Sequence, residues 1–137
     1  MYTKKITRKN PETGAVETIA VGMTAEEISA RQSEEAQADA EALVAEEAAK
    51  TEGIKAEAER RILAIMDKNK QRNLLAHGLE AIFTHGPNPA QWPAADRVLQ
   101  QETMPKWARI KAIRAASDAL EAISPVPENY TDDIYWP

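Results

Sequence analysis

Between Thr24 and Pro87 the chain contains no proline, and Gly53 is the only glycine before Gly78. Proline and glycine are the residues that most readily break a helix, so a long run without them, rich in Ala, Glu and Lys, is helix-forming sequence. Its start is marked as well. Thr24-Ala25-Glu26-Glu27 is a Thr-x-x-Glu capping box, in which each side chain can bond the other residue's backbone amide, and the two acids suit the positive end of the helix dipole. A helix is therefore expected from Ala25, running to about residue 52 or, bent at Gly53, well beyond it. At 1.5 Å per residue, Ala25 to Glu52 alone would reach roughly 40 Å.

Upstream of this helix the pattern changes. Lys4 to Arg8 and Ala15 to Val21 flank Asn10-Pro11-Glu12-Thr13-Gly14, where Pro11 pre-sets a turn and Gly14 can adopt the left-handed conformation that closes a longer hairpin loop. A two-stranded hairpin is expected over residues 1–22. Such a hairpin is marginal alone in water, so it should lean on its own helix or on another subunit.

Downstream the apolar pattern thickens. Ile62, Ile65 and Met66 share one helical face, Leu74, Leu75, Leu79, Ile82 and Phe83 form another, and Val98 and Leu99 begin a third beyond the loop Gly86-Pro87-Asn88-Pro89. Pro93 suits the opening of the Val98 helix, and Pro105 suits the first turn of a fresh helix reaching about Ile123. Trp107, Ile110, Ile113, Ser117 and Leu120 recur on that helix at spacings of three and four. The expected core comprises Ile62, Ile65, Leu74, Leu75, Trp107, Ile110, Ile113 and Leu120. Pro125 and Pro127 then end the helix, leaving an acidic tail with Tyr130, Ile134, Tyr135 and Trp136.

The fold class is thus mainly α: an N-terminal β-hairpin arm (1–22), a long acidic helix (23–53), a small helical bundle (54–123) and an extended aromatic tail (124–137). The acidic helix has only a thin apolar stripe of Ile28, Ala36, Ala40, Leu43 and Val44, broken by Gln32, Asp39 and Glu47, which makes a weak coiled-coil seam.

Charge narrows the function classes. The net charge is -5, and residues 23–52 alone carry -7, so the chain lacks the basic surplus that phosphate backbones require. Neither nucleic acid nor membrane is an expected partner. With no cysteine there is no disulfide framework and no thiolate nucleophile, and no apolar stretch reaches signal-peptide or membrane-spanning length. His77 and His85 are eight residues apart and lack the i, i+4 partner or carboxylate cluster of a metal site. Glycine-rich phosphate loops, nucleophile elbows and carboxylate pairs in apolar settings are missing too. No catalytic residue, cofactor, metal or small-molecule substrate is expected, and the chain reads as a non-enzyme.

Arg60, Arg61, Lys68, Lys70 and Arg72 interleave with Glu57, Glu59 and Asp67, the spacing of a solvated, ion-paired helix face. Trp107, with Arg114 and Ser117 nearby in sequence, fits core packing better than a ligand pocket. The tail aromatics follow two helix-stopping prolines, so they either fold back over the bundle or dock on a neighbour. Partner binding is accordingly expected at the termini, through Ile6, Val16 and Ile19 of the hairpin and Tyr130, Ile134, Tyr135 and Trp136 of the tail.

Three segments within residues 57–121 carry a resemblance: Glu59-Arg60-Arg61-Ile62-Leu63-Ala64-Ile65, Lys70-Gln71-Arg72-Asn73-Leu74-Leu75-Ala76, and Trp107-Ala108-Arg109-Ile110-Lys111-Ala112-Ile113-Arg114-Ala115-Ala116-Ser117-Asp118. Together they resemble a helical module of bacteriophage tail and tail-fibre-associated proteins. Where that module typically has Pro-Glu-Trp before Lys-Gln-Arg-Asn, this chain has Asp67-Lys68-Asn69, which leaves a continuous helix through residue 67 open. The resemblance implies a virion component at the tail (fibre, hub or tail tip), made in the host cytoplasm, with other phage tail proteins as partners and a possible homotrimer. Two alternatives stand beside it: a tail-fibre assembly chaperone absent from the mature virion, and a helical scaffold with no phage connection.

Overall fold

The computed structural model describes residues 2–137. Its elements are β1 (Thr3–Lys9), β2 (Val16–Gly22), α1 (Ala25–Ile65), α2 (Lys68–His85) and α3 (Ala94–Glu121), with short 3-10 turns at Pro89–Gln91 and Asp133–Tyr135. The mainly helical class with an N-terminal hairpin, a long helix and further helices is the one the sequence pattern calls for. Two compact units divide within α1, one ending at Glu46 and the other beginning at Glu47.

In the first unit β1 and β2 pair antiparallel, in a register that sets Ile6 opposite Ile19, Thr7 opposite Thr18 and Arg8 opposite Glu17. The loop is organised by Asn10. Its side-chain oxygen accepts from the backbone N–H groups of Glu12 and Thr13, at 2.9 and 3.3 Å, and its carbonyl accepts from Gly14, whose φ of 70° only glycine adopts at no steric cost. The expected capping box forms: the Thr24 N–H donates to Glu27 Oε2 at 2.9 Å and the Glu27 N–H to Thr24 Oγ1 at 3.3 Å. An ion pair between Lys4 and Glu27 and a 3.4 Å bond from the Tyr2 hydroxyl to Glu35 lean the hairpin on the first turns of α1. None of the described residues up to Glu46 is buried.

The core lies in the second unit. Ile54 and Ala58 of α1 meet Ile113 and Leu120 of α3 and, from beyond the last helix, Val126 and Trp136, with Ile62, Ile65, Ala116, Tyr130 and Tyr135 packed around them. Ile54 and Ile110 are fully buried.

α1 does not continue through residue 67. Asp67 takes an extended conformation and caps α2 by accepting from the Lys70 N–H at 2.8 Å, while the Gln71 side-chain amide donates to the Met66 carbonyl at 2.7 Å. A side-chain cap thus makes the break between α1 and α2 without a proline.

The helix expected to begin afresh at Pro105 is a correction. α3 runs unbroken from Ala94 to Glu121 with Pro105 inside it. Proline there forfeits one backbone bond, to the Gln101 carbonyl, and crowds the preceding turn. Against that cost stands a continuous inward face, Leu99, Thr103, Trp107, Ile110, Ile113, Ser117 and Leu120, every member of which is buried or half-buried. Thr103 braces the turn before the proline by donating to the carbonyls of Leu99 and Gln100 at 2.8 and 3.3 Å.

Candidate interaction surfaces

The aromatic tail folds back. Trp136 is only 7 % exposed and belongs to the core, with its indole N–H donating to the Tyr130 carbonyl at 2.8 Å. The Arg61 guanidinium stands 5.2 Å from the Trp136 ring centroid, in cation–π range, and donates to the Thr131 carbonyl at 3.0 Å and to Asp133 at 2.7 Å. Its Nε reaches Glu57 at 2.6 Å. Burial works against the charge on Arg61, but the bonds to Asp133 and Glu57 outweigh it and raise its pKa. Glu57 in turn is held down to about 2, chiefly by its bonds from Arg60 and also by those from Arg61, in spite of partial desolvation.

Further up the tail, Glu47 accepts from the Val126 N–H at 3.0 Å and Lys50 pairs with Glu128 at 2.5 Å. Tyr130 lies over Gly53 so closely that a Cβ on that residue would stand 2.1 Å from the tyrosine hydroxyl oxygen. These contacts correct the expectation that the tail aromatics meet a partner. Trp136, Tyr130 and Tyr135 are occupied within the chain, because α1 offers them a glycine, an arginine and an apolar face, and only Ile134 points outward, 78 % exposed.

The hairpin residues are placed otherwise. Ile6 is 37 % exposed, its cross-strand partner Ile19 is half-buried, and Val16, on the opposite face of β2, is 71 % exposed. Both outer edges of the two-stranded sheet have no neighbouring strand among the described residues.

Of the expected core, Ile110, Ile113 and Leu120 are buried, and Ile62 and Ile65 are half-buried against the central cluster. Leu74 and Trp107 are half-buried in the wall of a cleft between α2 and α3. Leu75 is a correction: it is 56 % exposed, because the face it shares with Leu79, Ile82 and Phe83 is left uncovered by the other described residues. Sequence reasoning missed Ile54, Ala58 and Val126 as core. The spacing of Ile54, Ala58, Ile62 and Ile65 carried a signal, but Val126 lies between two prolines with no periodicity to reveal it.

His77 Nε2 lies 3.1 Å from Asp96 Oδ1, a contact that ties α2 to the start of α3. Among the described residues no three His, Cys, Asp or Glu side chains converge on one point, and no helix is long and apolar enough to cross a membrane. No family model, no curated protein and no solved structure matches the chain.

Proposed function

We propose that this chain is a structural component of a bacteriophage tail that binds and positions other tail proteins, and that it presents its N-terminal arm to them. The phage setting rests on the resemblance across residues 57–121. The binding role rests on one observation: residues 2–46 form an ordered hairpin and helix in which no described residue is buried, so the segment contributes nothing to the chain's own core.

Ordered secondary structure without a core is suited to meeting another surface. The free edges of β1 and β2 offer unpaired N–H and C=O groups, to which a strand of a partner can add with few demands on sequence. The acidic half of α1, with Leu43 and Val44 at 64 and 71 % exposure, suits spacing and orientation, since exposed ion pairs are each worth only about 0–1 kcal/mol. Mass spectrometry of purified phage particles tests this reading. Peptides of this chain at a stoichiometry comparable with other tail proteins are expected. Their absence from intact virions, with presence in lysates during assembly, would favour the chaperone reading instead.

A further inference from the structure

α2 carries an apolar face that the chain leaves open. Leu75, Leu79, Ile82 and Phe83 are 56, 55, 42 and 86 % exposed, and their spacing places them along one side of the helix. Beside them is the cleft between α2 and α3, about 290 Å³, walled by Leu75, Leu79 and Ile82 on one side and by Leu99, Met104 and Trp107 on the other. Of the polar groups in its lining, His77 and Asp96 bond each other, the Thr103 hydroxyl bonds the Leu99 carbonyl and the Trp92 indole N–H bonds the Gly86 carbonyl.

Two more observations say what covers this face. Gly78 lines the same cleft, and a Cβ there would meet nothing within 4 Å, so the chain's own packing does not call for glycine. In a helix interior glycine costs about 1 kcal/mol relative to alanine, a cost that close approach by another backbone would explain. Charge then sets the direction of that backbone. Lys70 and Arg72 stand near the start of α2, already the positive end of its dipole, where Lys68 is paired with Glu59 and Asp67 caps the helix. Glu80 and the terminal carbonyls lie toward the other end, whose last turn also carries His85. A second α2 laid antiparallel brings each positive end against a negative one.

We propose that two copies of this chain pair through α2, antiparallel, about a two-fold axis passing beside Leu79. In that register Phe83 of each copy stands opposite Leu75 of the other, at the wall of its cleft. An apolar cavity of about 150 Å³ admits a benzene ring, so this cleft has room for the phenylalanine side chain. The surface is self-complementary, an exposed aromatic knob beside an apolar recess, as an isologous contact requires. The resulting assembly is a dimer, in place of the trimer that the resemblance implies.

Sedimentation equilibrium of the full-length chain tests the proposal. The wild-type protein is expected at twice the 15.1 kDa chain mass. Phe83→Glu, at a site too exposed to disturb the fold, is expected to weaken self-association by roughly thirtyfold or more, the loss of an aromatic anchor, with far-UV circular dichroism and Tm unchanged. Because the chain has no cysteine, the single thiol of Leu79→Cys should crosslink two copies on mild oxidation, while Lys111→Cys, outside the patch, should not. A chain that stays monomeric, a trimer, a dimer that Phe83→Glu leaves intact, or Leu79→Cys that fails to crosslink would each overturn the proposal. A monomer that instead captures an amphipathic helix of another protein would also overturn it.

Discussion

At the end of the chain, Trp136 sits against Ile54 and Ala58 of α1 with its ring under Arg61 and its N–H on a backbone carbonyl, while Ile134 two residues away faces solvent. Burial of that kind makes the two residues unequal. Trp136→Ala is expected to cost about 3–5 kcal/mol in urea unfolding, whereas Ile134→Ala should stay within about 0.5 kcal/mol. Gly53 is the other half of this contact. Gly53→Ala is expected to destabilise by roughly 1–3 kcal/mol through overpacking against Tyr130, and in a Tyr130→Ala background the same change should become neutral or stabilising, since alanine is the better helix former. Glu57 adds a pH dependence. Its pKa lies at about 2 in the folded chain, below the usual carboxylate value, so its contribution is fully present above about pH 4.5 and is lost as pH falls through 2. Glu57→Gln should therefore lower stability by about 1–3 kcal/mol at neutral pH and make no difference below about pH 2, as read from urea melts across that range. Little of this was legible in the sequence. The interleaved acids and bases around Arg61 show its i, i+4 bond to Glu57, but its bonds to Thr131 and Asp133 join residues some seventy positions apart, and no local pattern encodes them.

Elements were more legible than residues wherever the signal was local. The hairpin turn at Asn10 to Gly14 and the capping box at Thr24 follow from side chains bonding backbone a few residues away, and both appear where the sequence places them. Pro105 shows where a local rule yields to tertiary packing. The rule that proline opens or ends a helix is a statement about one hydrogen bond and one steric clash, whereas α3 is held by an inward face spanning both sides of the proline. Pro105→Ala restores the bond to the Gln101 carbonyl and is expected to raise stability by about 1–3 kcal/mol, measured as an increase in Tm; a decrease would show that the proline shapes a packing contact of its own. α2 marks a different limit. Its periodicity identifies an apolar face but cannot tell whether the same chain covers it, and the face that includes Leu75 proves to be open.

On the scale of the whole molecule, the chain divides its labour between two units. From Glu47 onward three helices and a returning tail build a core, and the tail is part of that core: deletion of residues 125–137 removes Val126 and Trp136 from the central cluster and is expected to unfold or strongly destabilise this unit. Up to Glu46 the chain builds secondary structure without a core. Surface for the proposed binding role therefore lies on the hairpin, whereas the tail aromatics are packed within the chain, the reverse of what aromatic content alone suggests. The most direct measurement is the quantity of a chain lacking residues 1–22 found in purified phage particles, relative to the full-length chain. The truncated protein is expected to keep the thermal melting of the second unit, whose core it retains, and to be absent or sharply depleted from particles. Incorporation equal to that of the full-length chain would contradict the account.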